Sequence, residues 1–240
     1  MSDTDSESVE KKPGIGTLNE KPLHAALKLW AAEPGDQFEV PLEGFFIDVV
    51  RDDLLIEIQT GGFSPLKRKL RKLTKNHKVR LVYPIAAEKW LIQPPKLGIL
   101  GKTTRRKSPK RGNVYHVFKE LVSFPDLMKS PNFSLQVVMT QEEELRKFEA
   151  KKRRRRYQKQ WRLEERRLLD VASSHLFESV ADICALLPAD LPDQFTTKDI
   201  ADGLAQPAWL VQKMVYCLRT MEGIQLVGKQ GRFLLYERSS

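Results

Sequence analysis

The sequence predicts an α/β (α+β) chain of two domains, a larger N-terminal one and a small C-terminal one. Three observations carry this. Residues 18–85 read in the order helix, three strands, helix, strand. Residues from 176 onward read as helix, helix, tight turn, helix, hairpin. Between the two halves the apolar content thins to the charged run "QEEELRKFEAKKRRRRYQKQWRLEERRLL". A chain of 240 residues holds one large domain or two small ones, and 41% hydrophobic residues suffice for real cores.

Taken in order, "MSDTDSESVEKKPG" (1–14) is acidic and polar, and it is expected to be a disordered tail rather than a secretory signal. "LNEKPLHAALKLWAA" (18–32) reads as the first helix, with Leu23, Leu27 and Trp30 at helical spacing and Asn19 as N-cap, which places Pro22 in the first turn. "QFEV" is a short strand and "PLEG" a turn. "FFIDVVRDDLLIEIQT" (45–60) is apolar and β-branched around Asp52-Asp53, so it reads as a hairpin with a two-residue loop. Facing residues then sum to 105: Val50 faces Leu55, Val49 faces Ile56, and Asp48 faces Glu57. Alternation puts Ile47, Val49, Ile56 and Ile58 on one face and Phe46, Asp48, Val50, Leu55, Glu57 and Gln59 on the other. Two acids directly opposite each other destabilise a sheet, so a cation is expected between them.

"SPLKRKLRKLTKNH" (64–77) reads as a basic amphipathic helix burying Leu66, Leu70 and Leu73, and "KVRLVYPI" (78–85) as a buried strand. "KWLIQ" reads as a strand and "PPKLGILGKTTRRKSPKRG" as a long basic loop. "VYHVFKELVSFPDLM" begins as a helix, and "NFSLQVVMT" (132–140) is a strand. Residues 141–170 are rich in good helix formers and are expected to be a basic helical linker. The C-terminal order is that of a winged helix over 171–240. In it Thr196 and Asp199 form a capping box, Leu210, Met214, Cys217 or Leu218, and Met221 are the buried stripe, and the hairpin turns at "GKQG".

Lys plus Arg number 41 against 31 Asp plus Glu, a net charge of +10, and the basic residues cluster. This favours a polyanionic partner, with DNA expected, double-stranded or branched. Candidate contacts are Arg105, Arg106, Lys110 and Arg111 in the loop and Arg153, Arg154, Arg155 and Arg156 in the linker. On the third C-terminal helix and the hairpin they are Trp209, Gln212, Lys213, Lys229 and Arg232. No apolar run approaches the roughly 20 residues of a membrane span. Cys184 and Cys217 sit in apolar helical patterns without zinc spacing and are expected to be reduced core residues of a cytoplasmic protein.

Glu20, Asp48, Glu57 and Gln59 form the chemical constellation. Carboxylates from a helix and two paired strands suit Mg²⁺ or Mn²⁺, which bind phosphate oxygens beside one or two protein carboxylates. Glu20 in "GTLNEKPLH", Asp48 in "FIDVV" and "EIQ" (57–59), followed by a helix and a strand, resemble the PD-(D/E)XK nuclease superfamily over about residues 15–85. The resemblance implies a nuclease-like domain over 15–140 with a mixed central sheet, metal-dependent phosphodiester cleavage, and the Ile58 carbonyl as an added ligand beside Asp48 and Glu57. The chain also resembles bacterial proteins that join such a domain to a winged helix. Where the family has a catalytic Lys, this chain has Gln59; Lys67 or Lys69 of the next helix is expected to supply the charge, and Lys69 is counted with the candidate site. The alternatives are a non-catalytic DNA-binding protein or a partner-binding adaptor on the same fold.

Overall fold

The computed structural model describes residues 21–95, 101–148 and 161–239. The acidic tail, Asn19, Glu20 and Arg153–Arg156 lie outside the described residues.

The first helix, α1, spans Pro22–Ala31, with Pro22 in its first turn and Lys21 rather than Asn19 at the N-cap. Three strands follow: β1 (Gln37–Leu42), β2 (Phe45–Arg51) and β3 (Leu54–Ile58). Both connecting turns have two residues, Glu43-Gly44 and Asp52-Asp53, and Glu43, Gly44 and Asp52 take the positive φ that such tight hairpins demand. The pairs Val49–Ile56 and Val50–Leu55 are those the loop length dictates.

A short helix α2 (Lys67–Leu73) buries Leu70 and Leu73 and leads to β4 (Lys78–Gln93). Strand β4 runs through what the sequence divides into two strands, with a register break between Ala86 and Glu88. The basic segment is not all loop: β5 (Thr104–Lys107) pairs antiparallel with the far half of β4. A turn of helix, α3 (Phe118–Leu121), precedes β6 (Phe133–Phe148) and β7 (Trp161–Phe177). The seven strands form one mixed sheet in the order β1-β2-β3-β4-β6-β7, with β5 on β4. Strands β3, β4 and β6 are parallel; the other pairings are antiparallel.

The expectation of a helix over 141–170 is therefore corrected: 141–148 and 161–170 are paired strands, and the larger sheet runs on to Phe177 instead of ending near 140. Helix propensity is a weak prior. Here it loses to a ladder in which charges on successive strands find partners: Lys89–Glu144 at 2.7 Å, Arg105–Glu143 at 2.7 Å and Arg166–Glu142 at 2.8 Å.

The sheet buries both faces. Leu23 and Leu27 of α1 cover one, against Val49, Ile56, Ile58, Val82 and Val138. The other carries the larger core, which includes Leu70, Leu81, Phe118, Phe133 and Leu135. Ile47 departs from its expected face and joins this larger core with Leu55, while Val49, Ile56 and Ile58 keep theirs. The β2–β3 pairing ends at Val49, while β2 stays paired with β1 as far as Phe45.

The C-terminal segment contains α4 (Val180–Cys184), β8 (Gln194–Thr196), α5 (Thr197–Leu204), α6 (Ala208–Thr220), β9 (Ile224–Gln230) and β10 (Phe233–Arg238). Its small sheet has the order β8-β10-β9. Thr196 caps α5 reciprocally with Asp199, as the spacing predicts. Helix α6 buries Leu210, Met214, Cys217 and Leu218, and also Val211 and Val215, because a second side packs on α3. The hairpin turns at Gly231-Arg232 rather than within "GKQG"; Gly231 supplies the positive φ. No helix among the described residues is long and apolar enough to cross a membrane.

Candidate active site

Asp48 lies on β2 and Glu57 on β3. The Asp48 carboxylate accepts the Ile58 N–H at 2.7 Å through Oδ2, and its Oδ1 is 3.3 Å from Nε2 of His24 on α1. The Gln59 N–H goes to the Val82 carbonyl at 2.9 Å. Backbone groups alternate sides along a strand, so the N–H and carbonyl of Ile58 both point away from β4, toward Asp48.

Glu57 is 3% exposed. Lys69, reaching in from α2, places Nζ 2.5 Å from Glu57 Oε1 and donates to the Phe46 carbonyl at 2.5 Å. It brings a cation to Glu57, while Asp48 takes His24 and the Ile58 N–H. Lys67, two residues earlier, is exposed. The Lys69 ammonium is thus the close partner of a buried carboxylate oxygen.

The two acids are driven apart electrostatically. Burial raises the Glu57 pKa to about 7, Asp48 adds to the rise, and Lys69 opposes it. Burial also raises that of Asp48, but the His24 and Ile58 hydrogen bonds with the Lys69 charge outweigh it, and the net shift is downward.

Gln59 follows β3 and donates from Nε2 to the Gly62 carbonyl at 2.6 Å. It lines a cavity of about 390 Å³ with Lys21, Pro22, Thr60 and Arg166 among its walls. Glu20, the third acid of the expected set, lies outside the described residues. Among the described residues no group of three or more His, Cys, Asp or Glu side chains could hold a metal.

The sequence gives no warning of Arg166. Its guanidinium clasps the fully buried Glu142 at 2.8 and 2.9 Å and donates to the Thr60 carbonyl at 2.9 Å, one residue beyond Gln59. Thr140 donates to the same Glu142 at 2.6 Å. This network fixes the end of the candidate site from a strand that the composition disguises as helix.

The expected nucleic-acid contacts divide. Arg105 and Arg106 are exposed on β5, with Arg105 over the Trp90 ring at 5.0 Å. Lys110 and Arg111 stand in the loop after β5, and Arg111 is 3.3 Å from Glu88. Trp209, Gln212 and Tyr216 are exposed along α6, Lys213 is half-buried, and Lys229 and Arg232 are exposed on the hairpin. Arg153–Arg156 lie outside the described residues.

The chain is 35% identical over 188 residues to a protein of Treponema pallidum (strain Nichols) described as an "Uncharacterized protein", covering 78% of this chain and 73% of the relative. No solved structure matches it. A family model described as "Domain of unknown function (DUF8091)" matches residues 21–178, from the start of α1 to the end of β7. The chain belongs to the DUF8091 family.

Proposed function

We propose that the chain is a divalent-metal-dependent nuclease of PD-(D/E)XK type that binds and cleaves DNA, with its C-terminal segment acting as a winged helix. The observation that carries the reading is the Glu57–Asp48–Lys69 cluster. A buried carboxylate stands close to a second acid on the adjoining strand, and a lysine enters from α2 to meet it where the strand itself offers Gln59.

The donor set fits Mg²⁺ or Mn²⁺. Glu57 would offer a carboxylate oxygen that now pairs with Lys69, Asp48 a carboxylate held ionised, and Ile58 a carbonyl on the same edge. Such ions keep waters and take substrate oxygens beside few protein ligands. The ion supplies charge neutralisation at the scissile phosphate and an activated water. Lys69 holds positive charge at the acids, and the Ile58 N–H and His24 fix the Asp48 carboxylate. Because Glu57 titrates near neutrality, metal uptake displaces its proton, and metal affinity is expected to rise with pH through 7.

The winged-helix reading rests on the order α4, β8, α5, α6 and hairpin, with Trp209, Gln212 and Tyr216 outward on α6 and Lys229 and Arg232 on the wing. One observation favours a second reading. Lys69 already neutralises Glu57, as a purely structural ion pair does in a DNA-binding protein without catalysis.

The test is cleavage of linear, nicked, branched and single-stranded DNA in Mg²⁺ and Mn²⁺. Cutting is expected in Mn²⁺. Glu57→Ala should abolish it in a folded protein, and Lys69→Ala should cost about 10²-fold or more, the scale of one charge-stabilising group, while Lys67→Ala costs little. If DNA binds but no substrate is cut, the structural reading replaces the catalytic one.

A further inference from the structure

The geometry points to a second site, separate from the acids: the pocket between the register break of β4, the loop carrying Lys110 and Arg111, and α3 seats a backbone phosphate of bound DNA. The cavity is about 410 Å³. Lys89, Lys110, Arg111, Lys119 and Arg166 line it, and no carboxylate does.

Their partners decide which charges are free. Arg166 is spent on Glu142 and Thr60. Lys89 holds Glu144 at 2.7 Å. Arg111 is 3.3 Å from Glu88, which also holds Lys107 at 2.7 Å. Among the described residues Lys110 and Lys119 have no acidic partner within ion-pair distance; Lys119 lies over the Trp209 ring at 5.1 Å instead.

These ammonium groups crowd one another. Burial lowers the Lys119 pKa, and Lys110 and Lys89 lower it further against the pull of Glu120. One more wall residue suits an anion. Burial pushes the Tyr83 phenol up to about 12, with Glu120 adding to it, so the hydroxyl stays a donor at neutral pH. Burial, then Lys119, lowers the His116 pKa, so its imidazole adds no charge to the pocket. A pocket with surplus cations and a phenol donor gains most from a multiply accepting anion.

The backbone shapes the pocket. Gly112 donates to the Ala86 carbonyl at 2.8 Å, pinning the basic loop at the β4 register break. A Cβ there would lie 2.5 Å from Ile85 Cγ2 and 2.6 Å from the Ala86 oxygen. Only glycine lets the loop approach closely enough to carry Lys110 and Arg111 to the rim.

The position favours a nucleic-acid phosphate over a free anion. Arg166 lines both this cavity and the one beside Gln59, and Lys119 touches Trp209 on the exposed face of α6. A strand that bridged the cavity beside Gln59 and Trp209 of α6 would meet the walls of this pocket at Arg166 and Lys119. The assignment rests on the DNA reading above.

The experiment uses the full chain and a Lys110→Gln/Lys119→Gln double variant, with Lys110→Arg/Lys119→Arg as the charge-keeping control. Inorganic phosphate should raise the melting temperature of the native and Arg forms relative to chloride at equal ionic strength, and leave the Gln form unmoved. For a labelled duplex, the Gln form should bind about tenfold more weakly at 0.1 M salt. Its slope of log affinity against log salt should be shallower by about one to two, roughly one unit for each phosphate that is no longer neutralised. Phosphate protection with unchanged duplex affinity and slope would assign the site to a free anion and overturn the backbone role. An unchanged Gln form in both assays, in a protein that still binds and cuts DNA, would overturn the pocket and leave the nuclease reading standing. If the native chain binds no DNA, the backbone role falls with that reading, and phosphate protection alone reports on the pocket.

Discussion

Glu57 shows how far a single residue can be read from the sequence. Its nearness to Asp48 follows from loop length and alternation, although the ladder stops one pair short of them, and the need for a cation follows from two like charges in an apolar setting. That the cation is Lys69 and not Lys67 does not follow. A 3₁₀ turn over Ser64–Leu66 precedes α2 and sets the phase of a helix of only seven residues, too short for a hydrophobic stripe to fix. The raised pKa makes a stability prediction. Glu57 titrates at about 7 when folded and 4.5 when unfolded, so between those values the native state holds a proton that the unfolded chain has released. Stability therefore falls as pH rises through that window, by about 3 kcal/mol once the cost is complete above 7. Asp48 acts oppositely: its contribution is present above 3.8 and is lost as pH falls through its lower folded value. Urea unfolding of Glu57→Gln should show greater stability than the native chain at pH 8 and near equality at pH 4.5. An equal or lower stability at pH 8 refutes the burial account of the site.

At the scale of elements, α1, the first three strands, α2 and the first half of β4 were legible, because apolar periodicity and turn chemistry agree there. Strands β6 and β7 were not. Glu, Lys and Arg are good helix formers, and nothing local reveals that Glu142 and Glu144 will be buried beside Arg166 and Lys89. The pairing spans 24 residues for Glu142 and 55 for Glu144, beyond any local pattern. The consequence can be measured. Removing Arg166 strands a fully buried carboxylate and frees the Thr60 carbonyl, so Arg166→Gln should destabilise by about 3–5 kcal/mol. Arg166→Gln combined with Glu142→Gln removes the stranded charge and should recover much of that loss. A double-mutant cycle in denaturant decides: additive losses would mean that the pair is not coupled.

For the whole molecule, the order of elements announced two units, but the way they join was hidden. Buried residues of the larger sheet and of the C-terminal segment form one cluster, running from Leu81 and Phe133 through Phe118 and Leu121 to Leu210, Val211 and Met214. Helix α6 packs on α3, and Lys129 pairs with Glu222 at 2.5 Å across the junction. Deleting the C-terminal segment to test DNA binding would therefore strip the cover from this core, and substitutions at exposed positions such as Gln212 and Arg232 are the sounder probes. A shared core also binds the two units into one folding event. Phe118 is fully buried in the larger cluster, and Phe→Ala there should cost about 3–5 kcal/mol. If the core is continuous, that loss lowers the melting of the C-terminal segment as much as that of the sheet. Far-UV circular dichroism of the whole chain and fluorescence of Trp209, with Trp30, Trp90 and Trp161 replaced by Phe, should give coincident transitions before and after the substitution. A Trp209 transition that stays in place while the sheet melts earlier would show two independent domains with only a surface contact between them.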